Sequence, residues 1–314
     1  MIILYGNDNY RVDVSEIVSE KLTLDSGMIC IPNDDHMRTR LFGDPVWGEV
    51  KYIKIFDNGL NSRVYNTYEN VYIHKDIDFE TTPKEKSDDI LINELNILKS
   101  GHTFNHNVSW VLNSNGDFKS DESYEQFMAY KFVRPDAVVL ELGGNIGRNS
   151  MVIGSKLNNK ENLVVLESDA EVAECLKKNR DDNNLKFHVE GCALSKRKLL
   201  QKANTWNTIA SNHLIEGYNK VKNITIPELE ERYNLTFDTL VADCEGALFH
   251  ILQDDPDILD KFSMIIVEND YFNDNNRKFV EDLYVEKGFR RIYVNRHPEV
   301  SMAINEFFFE VWVK

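Results

Sequence analysis

Residues 138–147 read Val-Val-Leu-Glu-Leu-Gly-Gly-Asn-Ile-Gly, and this segment constrains the fold more than any other part of the chain. An apolar run over residues 137–140 leads into Glu141, a glycine-rich turn follows, and residues 148–157 are compatible with a helix. The order strand, glycine turn, helix is typical of open α/β sheets, in which the turn brings the backbone close to a ligand. We therefore predict a doubly wound α/β domain.

The spacing of the glycines argues against the common dinucleotide-binding turn. That turn needs Gly-x-Gly-x-x-Gly, because its second glycine gives the pyrophosphate room. Counted from Gly143, the second and third glycines would fall on Asn145 and Arg148. The spacing found here, acid-x-Gly-x-x-x-Gly, resembles the turn of S-adenosylmethionine-dependent methyltransferases. An NAD-dependent dehydrogenase is therefore disfavoured.

Strands and helices alternate after residue 136, which indicates a parallel sheet with helices on both faces. Two further strands close the chain and suit a terminal antiparallel pair, which gives the seven-stranded arrangement of the methyltransferase fold. A capping box at residues 225–228 predicts a helix that ends near residue 233. The predicted strands are 137–140, 163–166, 186–189, 239–242, 264–267, 291–294 and 307–313.

Residues 1–85 differ from the rest and are predicted to form a β-rich accessory domain with a linker, followed by a catalytic domain over 86–314. Short β-like runs alternate with polar turns, and one helix is expected at 14–22. The polar stretch 76–89 is typical of a linker. Oligomerisation and the binding of a glycan or a partner are both open as roles. The runs are 2–5, 28–31, 50–56, 63–65 and 70–74, with later helices at 90–98 and 124–132.

The composition narrows the choice of partners and compartment. Asp and Glu number 52 against 36 Lys and Arg, a net charge of −16, which argues against a nucleic-acid partner. The four cysteines form no C-x-x-C pair, so we do not expect a zinc site. We expect the cysteines to be reduced thiols, as in a cytoplasmic protein. No run of apolar residues approaches a membrane span, and the N-terminus does not resemble a signal peptide.

The glycine turn is the first candidate for cofactor binding. Its backbone groups are expected to contact the methionine end of S-adenosylmethionine. Glu141, at the tip of the first strand, is placed to attract the α-ammonium directly or through water, although it could simply cap the turn. The candidate residues of the turn are Gly143, Gly144, Asn145 and Gly147.

The second and third strands supply further candidates. Glu167 ends an apolar strand, where a carboxylate accepts both ribose hydroxyls, and Ser168 follows it. Asp169 is expected to cap the next helix. Cys192 and Ala193 follow the third strand, where small residues leave room for an adenine ring.

Four acids follow the fourth and fifth strands, namely Asp243, Glu245, Glu268 and Asp270. Because the carboxyl ends of parallel strands meet at one edge, these side chains should converge. Crowded carboxylates raise one another's pKa and can act as a general base toward a hydroxyl, roles we assign first to Asp243 and Glu268. Alternatively they bind a divalent cation or cap helices, and His250 is another candidate base. The metal requirement is left open.

These motifs resemble the FkbM family of S-adenosylmethionine-dependent methyltransferases over residues 120–314. The Asp-x-Glu-Gly motif after the fourth strand, with a later strand that ends in Glu, is the most specific mark. The resemblance implies a Rossmann-like class I methyltransferase sheet and O-methylation of a hydroxyl, often on a sugar or a polyketide-type product. The matching segments are 141–147, 167–169, 192–195, 243–246 and 267–268.

Some positions depart from the family pattern or extend it. Glu141 stands where Asp is commoner, and Ala247 stands where many members carry another acid. Glu125 and Gln126 resemble the acid and glutamine that often precede the first strand and can approach the cofactor. Trp206 could line the pocket, or it could simply pack in the core.

The sequence thus predicts an O-methyltransferase that converts S-adenosylmethionine to S-adenosylhomocysteine and acts on a carbohydrate or another small hydroxylated acceptor. No nucleic-acid or membrane partner is expected, and a homo-oligomer could form through the N-terminal domain. The alternative is a scaffold or binding protein that keeps the fold without catalysis, and the intact glycine turn and ribose acid argue against it.

Overall fold

The computed structural model describes residues 1–23, 27–32, 35–58, 61–66, 71–76, 88–104, 108, 122–271, 274–295 and 308–314. Its internal contacts divide the chain into two compact units, Met1–Ile90 and Leu91–Lys314. Of the predicted linker, residues 77–87 lie outside the described part of the chain.

The N-terminal unit contains two small antiparallel sheets, in the orders β2-β1-β4-β5 and β3-β6. Ile3 and Tyr5 lie opposite Ile55 and Ile53 in the register of β1 and β4, and all four side chains are buried. This alternation with period two gives the unit its own core. Strand β2 and helix α2 were not predicted. The elements are β1 (Ile2–Gly6), β2 (Arg11–Asp13), α1 (Ser15–Lys21), β3 (Met28–Ile31), α2 (Asp35–Phe42), β4 (Tyr52–Phe56), β5 (Ser62–Tyr65) and β6 (Val71–His74).

The helices that follow are α3 (Asp88–Ser100), α4 (Ser123–Phe132), α5 (Arg148–Lys156), α6 (Ala170–Asp182), α7 (Ile226–Tyr233), α8 (Ala247–Asp254) and α9 (Asp274–Glu286), with a 3₁₀ helix at Pro256–Lys261. The strands are β7 (Val139–Leu142), β8 (Leu163–Leu166), β9 (His188–Glu190), β10 (Ala193–Leu194), β11 (Leu199–Lys202), β12 (Thr208–Ala210), β13 (Tyr218–Val221), β14 (Asn223–Ile224), β15 (Thr239–Ala242), β16 (Met264–Glu268), β17 (Arg290–Asn295) and β18 (Phe309–Val313).

Seven of these strands form one sheet in the order β9-β8-β7-β15-β16-β18-β17. Strand β18 runs antiparallel to both of its neighbours, and the other pairs are parallel. The prediction of a seven-stranded sheet with a terminal antiparallel pair is confirmed. The strand order reverses between β7 and β15, and such a reversal opens a crevice at the carboxyl ends of the strands.

The central strands are buried on both faces, as expected for parallel strands covered by helices. Side chains at alternate positions enter two separate cores. Val139 and Val165 belong to the core on the side of α4 and α5, whereas Leu140 and Leu166 belong to the core that also contains Leu229 of α7. The apolar runs in the sequence therefore predicted the strands because both faces needed apolar side chains.

Among the predicted strand boundaries, the starts of β7 and β9 were each placed two residues too early. Strand β7 begins at Val139, because the preceding residues form a turn in which the Ala137 amide donates to the Arg134 carbonyl. Strand β9 begins at His188, because the chain leaves α6 through a turn in which the Leu185 amide donates to the Arg180 carbonyl. Glu141 consequently lies inside its strand and not at the tip.

Two predicted helix caps are confirmed. The carboxylate of Asp169 accepts hydrogen bonds from the amides of Glu171 and Val172 at the start of α6. Thr225 and Glu228 form the reciprocal capping box of α7. Local sequence signals were sufficient here because each cap depends only on residues within one helical turn.

Candidate active site

The carboxyl ends of β7, β8, β15 and β16 border a cavity of about 950 Å³. A cavity of this size can hold a cofactor together with a small acceptor. Most of the predicted site residues line it, namely Gly143, Asn145, Glu167, Ser168, Cys192, Ala193, Trp206, Asp243, Glu245 and Glu268. Glu141, Gly144, Gly147 and Asp270 are not among its lining residues.

The glycine turn is glycine-rich because the protein itself fills the space around it. Gly143 has φ +83°, and a Cβ there would lie 1.6 Å from the carbonyl oxygen of Asp243. A Cβ on Gly144 would lie 2.2 Å from Cγ1 of Val165. We expected these glycines to make room for a ligand. Gly143 joins the ends of β7 and β15, and Gly144 packs the turn onto the sheet. Gly143 also lines the cavity, and the approach of its backbone to a ligand stays a prediction.

Glu141 lies behind the turn and not in the cavity wall. Its side chain shares the face of Val139, toward α5, where the Asn149 amide donates to Oε1 at 3.1 Å. Its Oε2 is buried and accepts no hydrogen bond from the described residues. Burial, the largest effect, raises the pKa of Glu141 to about 8. Direct contact with a cofactor ammonium is therefore not favoured, and the route through water stays a prediction.

Glu167 follows directly after β8 and is held by backbone amides. The Asn145 amide donates to Oε2 at 2.9 Å, and the Asp169 amide donates to Oε1 at 2.8 Å. The Ser168 hydroxyl also donates to Oε1 at 3.5 Å, and Oε2 keeps a second lone pair for a further donor. Burial raises the pKa of Glu167 to about 7, and the two amide bonds oppose that rise. The glycine turn and Glu167 thus form one hydrogen-bonded unit.

Cys192 and Ala193 lie beyond β9, where Ala193 begins the short parallel pair of β10 with β14. Burial raises the pKa of the Cys192 thiol to about 12, so the thiol stays protonated and unreactive. The two residues offer a small apolar surface to the cavity, which suits the edge of an adenine ring.

The predicted acids converge as expected. Asp243, Glu268 and Asp270 each place one carboxylate oxygen so that the three oxygens lie within 4.8 Å of one another. Glu125, from α4, joins them from the opposite side and is in hydrogen-bond contact with Glu268. Glu245 follows at the start of the turn into α8.

Burial is the largest cause of the raised pKa of Asp243, of Glu268 and of Asp270. The pKa of Asp243 and of Glu268 is raised well above the ordinary value, and neighbouring carboxylates add to the effect. The pKa of Asp270 is raised to about 7, with Glu245 and Glu125 contributing. Like charges at this spacing cannot all ionise together, so the cluster shares protons near neutral pH.

The turn after β15 is strained in the same way as the glycine turn after β7. Glu245 has φ +52° and is followed by Gly246 with φ +76°, and Asn145 in the first turn has φ +47°. Residues other than glycine rarely occupy this region unless the surrounding structure requires it. The two turns lie against each other at Gly143 and Asp243, which both line the cavity. This matches the usual placement of strained backbone at functional sites.

Sequence reasoning missed two parts of the site. Glu122, at the N-cap of α4, lines the cavity. Its carboxylate forms a salt bridge with Arg148 at 3.0 Å and accepts a hydrogen bond from the side-chain amide of Asn145 at 3.4 Å. No local pattern marked it, because its partners lie more than 20 residues away. The three-stranded sheet β12-β11-β13 forms another wall, and its short, partly exposed strands carry little apolar alternation.

Two further candidate residues, Trp206 and Gln126, differ in whether they line the cavity or are buried in the protein core. Trp206 lines the cavity and also packs against the small buried cluster that contains Ile146 and Val172. Its contact with a substrate stays a prediction. Gln126 is fully buried and its side-chain oxygen accepts a hydrogen bond from Lys99. Of the predicted pair, only Glu125 lines the cavity.

These residues fit S-adenosylmethionine. Glu167 presents fixed lone pairs to a ribose, the turn presents backbone at the end of β7, and the surface at Cys192 suits a flat ring. Together with the strand order, this defines a class I S-adenosylmethionine-dependent methyltransferase. The chain belongs to the methyltransferase FkbM domain family, whose family model matches residues 116–303, more than half of the sequence. The predicted resemblance is confirmed.

Three solved structures illustrate the similarity at the level of the chain. A protein described as an RNA methyltransferase from Pyrococcus horikoshii is 15% identical, with 71% of this chain and 96% of that chain covered at a TM-score of 0.40. A protein described as an O-methyltransferase from Klebsiella pneumoniae is 15% identical, with 74% and 92% covered at 0.38. The ribosomal protein L11 methylase from Lactobacillus delbrueckii is 9% identical, with 61% and 77% covered at 0.38.

All three TM-scores lie below 0.5, so the assignment rests on the family match and the strand order alone. The curated proteins include no match to this sequence. Within the described ranges, the helices are too short or too polar to span a bilayer.

Proposed function

We propose that the protein transfers the methyl group of S-adenosylmethionine to a hydroxyl group of a sugar or glycan. The observation that carries this proposal is the cluster of carboxylates on the cavity, beside the cofactor-binding turn. A hydroxyl is a poor nucleophile until its proton is removed, and a group of acids that shares protons near neutral pH can accept that proton.

Different residues of the chain bind the cofactor and activate the acceptor. Glu167 accepts the ribose hydroxyls, and the turn after β7 aligns the methionine end. The bound cofactor supplies a methyl group already activated on sulfur, so alignment accounts for most of the rate enhancement. Asp243 accepts a hydrogen bond from the acceptor hydroxyl and takes its proton as the new bond forms. Glu268 orients the same hydroxyl from the neighbouring strand.

The remaining cavity wall supports a carbohydrate acceptor. Gln201, Asn207 and Thr208 from the small sheet line the cavity and offer hydrogen-bond donors and acceptors, and Trp206 adds an aromatic surface. The net charge of −16 and the acidic cavity disfavour a polyanionic acceptor such as RNA. The four cysteines are thiols rather than disulfides, which supports a reducing compartment such as the cytoplasm.

We also propose that the N-terminal unit mediates homo-oligomerisation. Trp47 is 88% exposed and Val50 is 79% exposed, and large apolar side chains this exposed are common at contacts between proteins. Light scattering should give a multiple of the chain mass for the wild-type protein and a lower mass for Trp47→Ser. A monomeric wild-type protein would contradict the proposal and leave glycan or partner binding as the role of this unit.

A methyl-transfer assay tests the main proposal. Purified protein, S-adenosylmethionine labelled on the methyl group, and a panel of nucleotide sugars and oligosaccharides would be combined, with RNA and a free-amine acceptor as controls. Label in a sugar ether, absent from the controls, is the expected result. Label only in RNA or amine would contradict it. Cofactor binding without transfer to any acceptor would favour the scaffold role.

A further inference from the structure

Asp243, Glu268 and Asp270 have the geometry of a ligand set for a metal ion. They come from the ends of β15 and β16, and their nearest oxygens lie within 4.8 Å of one another. Cations that prefer oxygen hold their ligands at about 2.0–2.6 Å, so two ligands of one ion are at most about 4–5 Å apart. The three oxygens therefore fit one coordination sphere without rearrangement of the backbone.

A second observation comes from a different element, helix α4. Glu125 is 8% exposed and lines the same cavity. Its Oε2 is buried and accepts no hydrogen bond from the described residues. A buried carboxylate oxygen without a donor destabilises the folded protein, and a cation beside it removes that cost.

The nearby basic side chains are engaged elsewhere. Arg148 pairs with Glu122 at 3.0 Å, and Arg197 pairs with Asp254 at 2.5 Å. Across the described residues, no salt bridge joins a basic side chain to Asp243, Glu268 or Asp270. Positive charge at this end of the cavity must therefore come from a ligand or from bound protons.

We propose that Asp243, Glu268 and Asp270, supported by Glu125, bind one divalent cation of the oxygen-preferring class, which includes Mg²⁺, Mn²⁺ and Ca²⁺. Carboxylates without imidazole or thiolate among them suit these ions rather than zinc. The remaining coordination positions take water and, on the proposed function, the acceptor hydroxyl. The ion then fixes the hydroxyl beside Asp243, whose second oxygen is left to accept the proton.

Titration with Mn²⁺ alone, followed by electron paramagnetic resonance, tests the site on the intact protein with S-adenosylhomocysteine present. We expect one ion per chain in the wild-type protein. Asp270→Asn should weaken Mn²⁺ binding at least tenfold, because the substitution removes one charged ligand. Asp270 is chosen because it does not line the cofactor cavity. Asp282→Asn is the matched control, since Asp282 is exposed on α9 and pairs with Lys278. Its Mn²⁺ affinity should equal that of the wild-type protein.

Two results would overturn the inference: no Mn²⁺ bound by the wild-type protein, or equal affinity in Asp270→Asn. If Asp270→Asn does not fold, Glu125→Gln replaces it and should also weaken binding. A rise of the wild-type melting temperature on addition of Mn²⁺ would also show that the protein binds the ion, without the need for a variant. An absent shift, with no resonance change, would show that bound protons alone balance the cluster.

The site and the proposed function can fail separately. Methyl transfer that proceeds at full rate in EDTA would refute the cation and leave the function standing. One Mn²⁺ per chain without transfer to any hydroxyl would refute the function and leave the cation site standing.

Discussion

The two halves of the cavity hold their carboxylates in different ways. On the cofactor side, both oxygens of Glu167 accept hydrogen bonds from backbone amides, at 2.8 and 2.9 Å. The carboxylate of Glu167 therefore has one fixed orientation. On the acceptor side, Asp243, Glu268 and Asp270 face one another within 4.8 Å, and Glu125 is in hydrogen-bond contact with Glu268. Within the described residues, no backbone amide donates to these three carboxylates.

On the proposed function, this difference separates recognition of the cofactor from chemistry at the acceptor. A carboxylate fixed by amides presents the same lone pairs whatever is bound, which suits a constant ligand such as the ribose of a cofactor. Carboxylates that mainly repel one another respond strongly to a proton, a hydroxyl or a cation. Substitutions on the two sides should therefore change different measured quantities.

The largest expected effect on turnover belongs to Asp243→Asn. The variant keeps the shape of the side chain and loses the ability to take a proton, so turnover should fall by about 10²–10⁴-fold. Affinity for S-adenosylhomocysteine should change by less than about threefold, because the cofactor side is untouched. Steady-state kinetics with the accepted sugar and calorimetry give the two numbers, with Asp282→Asn as control. An equal loss of both would contradict the division of the cavity.

Gly143→Ala should damage both halves together, because Gly143 is where they meet. The new Cβ would lie 1.6 Å from the Asp243 carbonyl oxygen at φ +83°, and we expect a loss of at least about 3 kcal/mol in the free energy of unfolding. Gly191→Ala is the matched control, since its Cβ would meet nothing closer than 3.7 Å. Urea unfolding measures both, and equal stabilities would refute the close approach of the two turns.

Glu167→Gln should weaken cofactor binding and spare chemistry. Hydrogen bonds to charged groups contribute about 1.5–3 kcal/mol each, so affinity for S-adenosylhomocysteine should fall by about 10–100-fold. Turnover at saturating cofactor should stay within a few fold of wild type. Glu161→Gln, six residues earlier and exposed, is the control. A normal affinity in Glu167→Gln would remove the assignment of the ribose acid.

Glu141→Gln should have the smallest effect on turnover and should act on stability. The folded pKa of Glu141, about 8, lies above its ordinary value of 4.5, so the folded state binds more protons between these limits. The stability that this proton provides is complete below about pH 4.5 and is lost as the pH rises toward 8.

Because glutamine cannot ionise, Glu141→Gln should melt at a higher temperature than the wild-type protein, increasingly so from pH 5 to pH 8, by about 2–4 °C for each kcal/mol. Calorimetric melting without ligand measures this difference. Parallel pH profiles of the two proteins would show that the wild-type side chain is already ionised.

The sequence predicted contacts between neighbouring residues better than contacts between distant ones, for a physical reason. Glu167 and Asp169 act within a few residues of the strand that carries them, so their roles appear as a local pattern. Glu122 and Glu125 act on residues far along the chain, at Arg148 and Glu268, and no spacing rule reports such contacts.

The same limit explains the other differences. Strand β7 was placed two residues early because an apolar run does not show where a turn ends, and that shift moved Glu141 from the tip of the strand to its interior. The sheet β12-β11-β13 was missed because its strands are short and partly exposed, so side-chain burial imposes little pattern on them.

The central claim is that the turn after β7 and Glu167 bind S-adenosylmethionine. Calorimetric titration of the wild-type protein with S-adenosylmethionine and S-adenosylhomocysteine, with NAD as control, tests it most directly. We expect binding of both sulfur ligands at micromolar concentration, one per chain, and no binding of NAD. Binding of NAD, or no heat from either sulfur ligand, would contradict it.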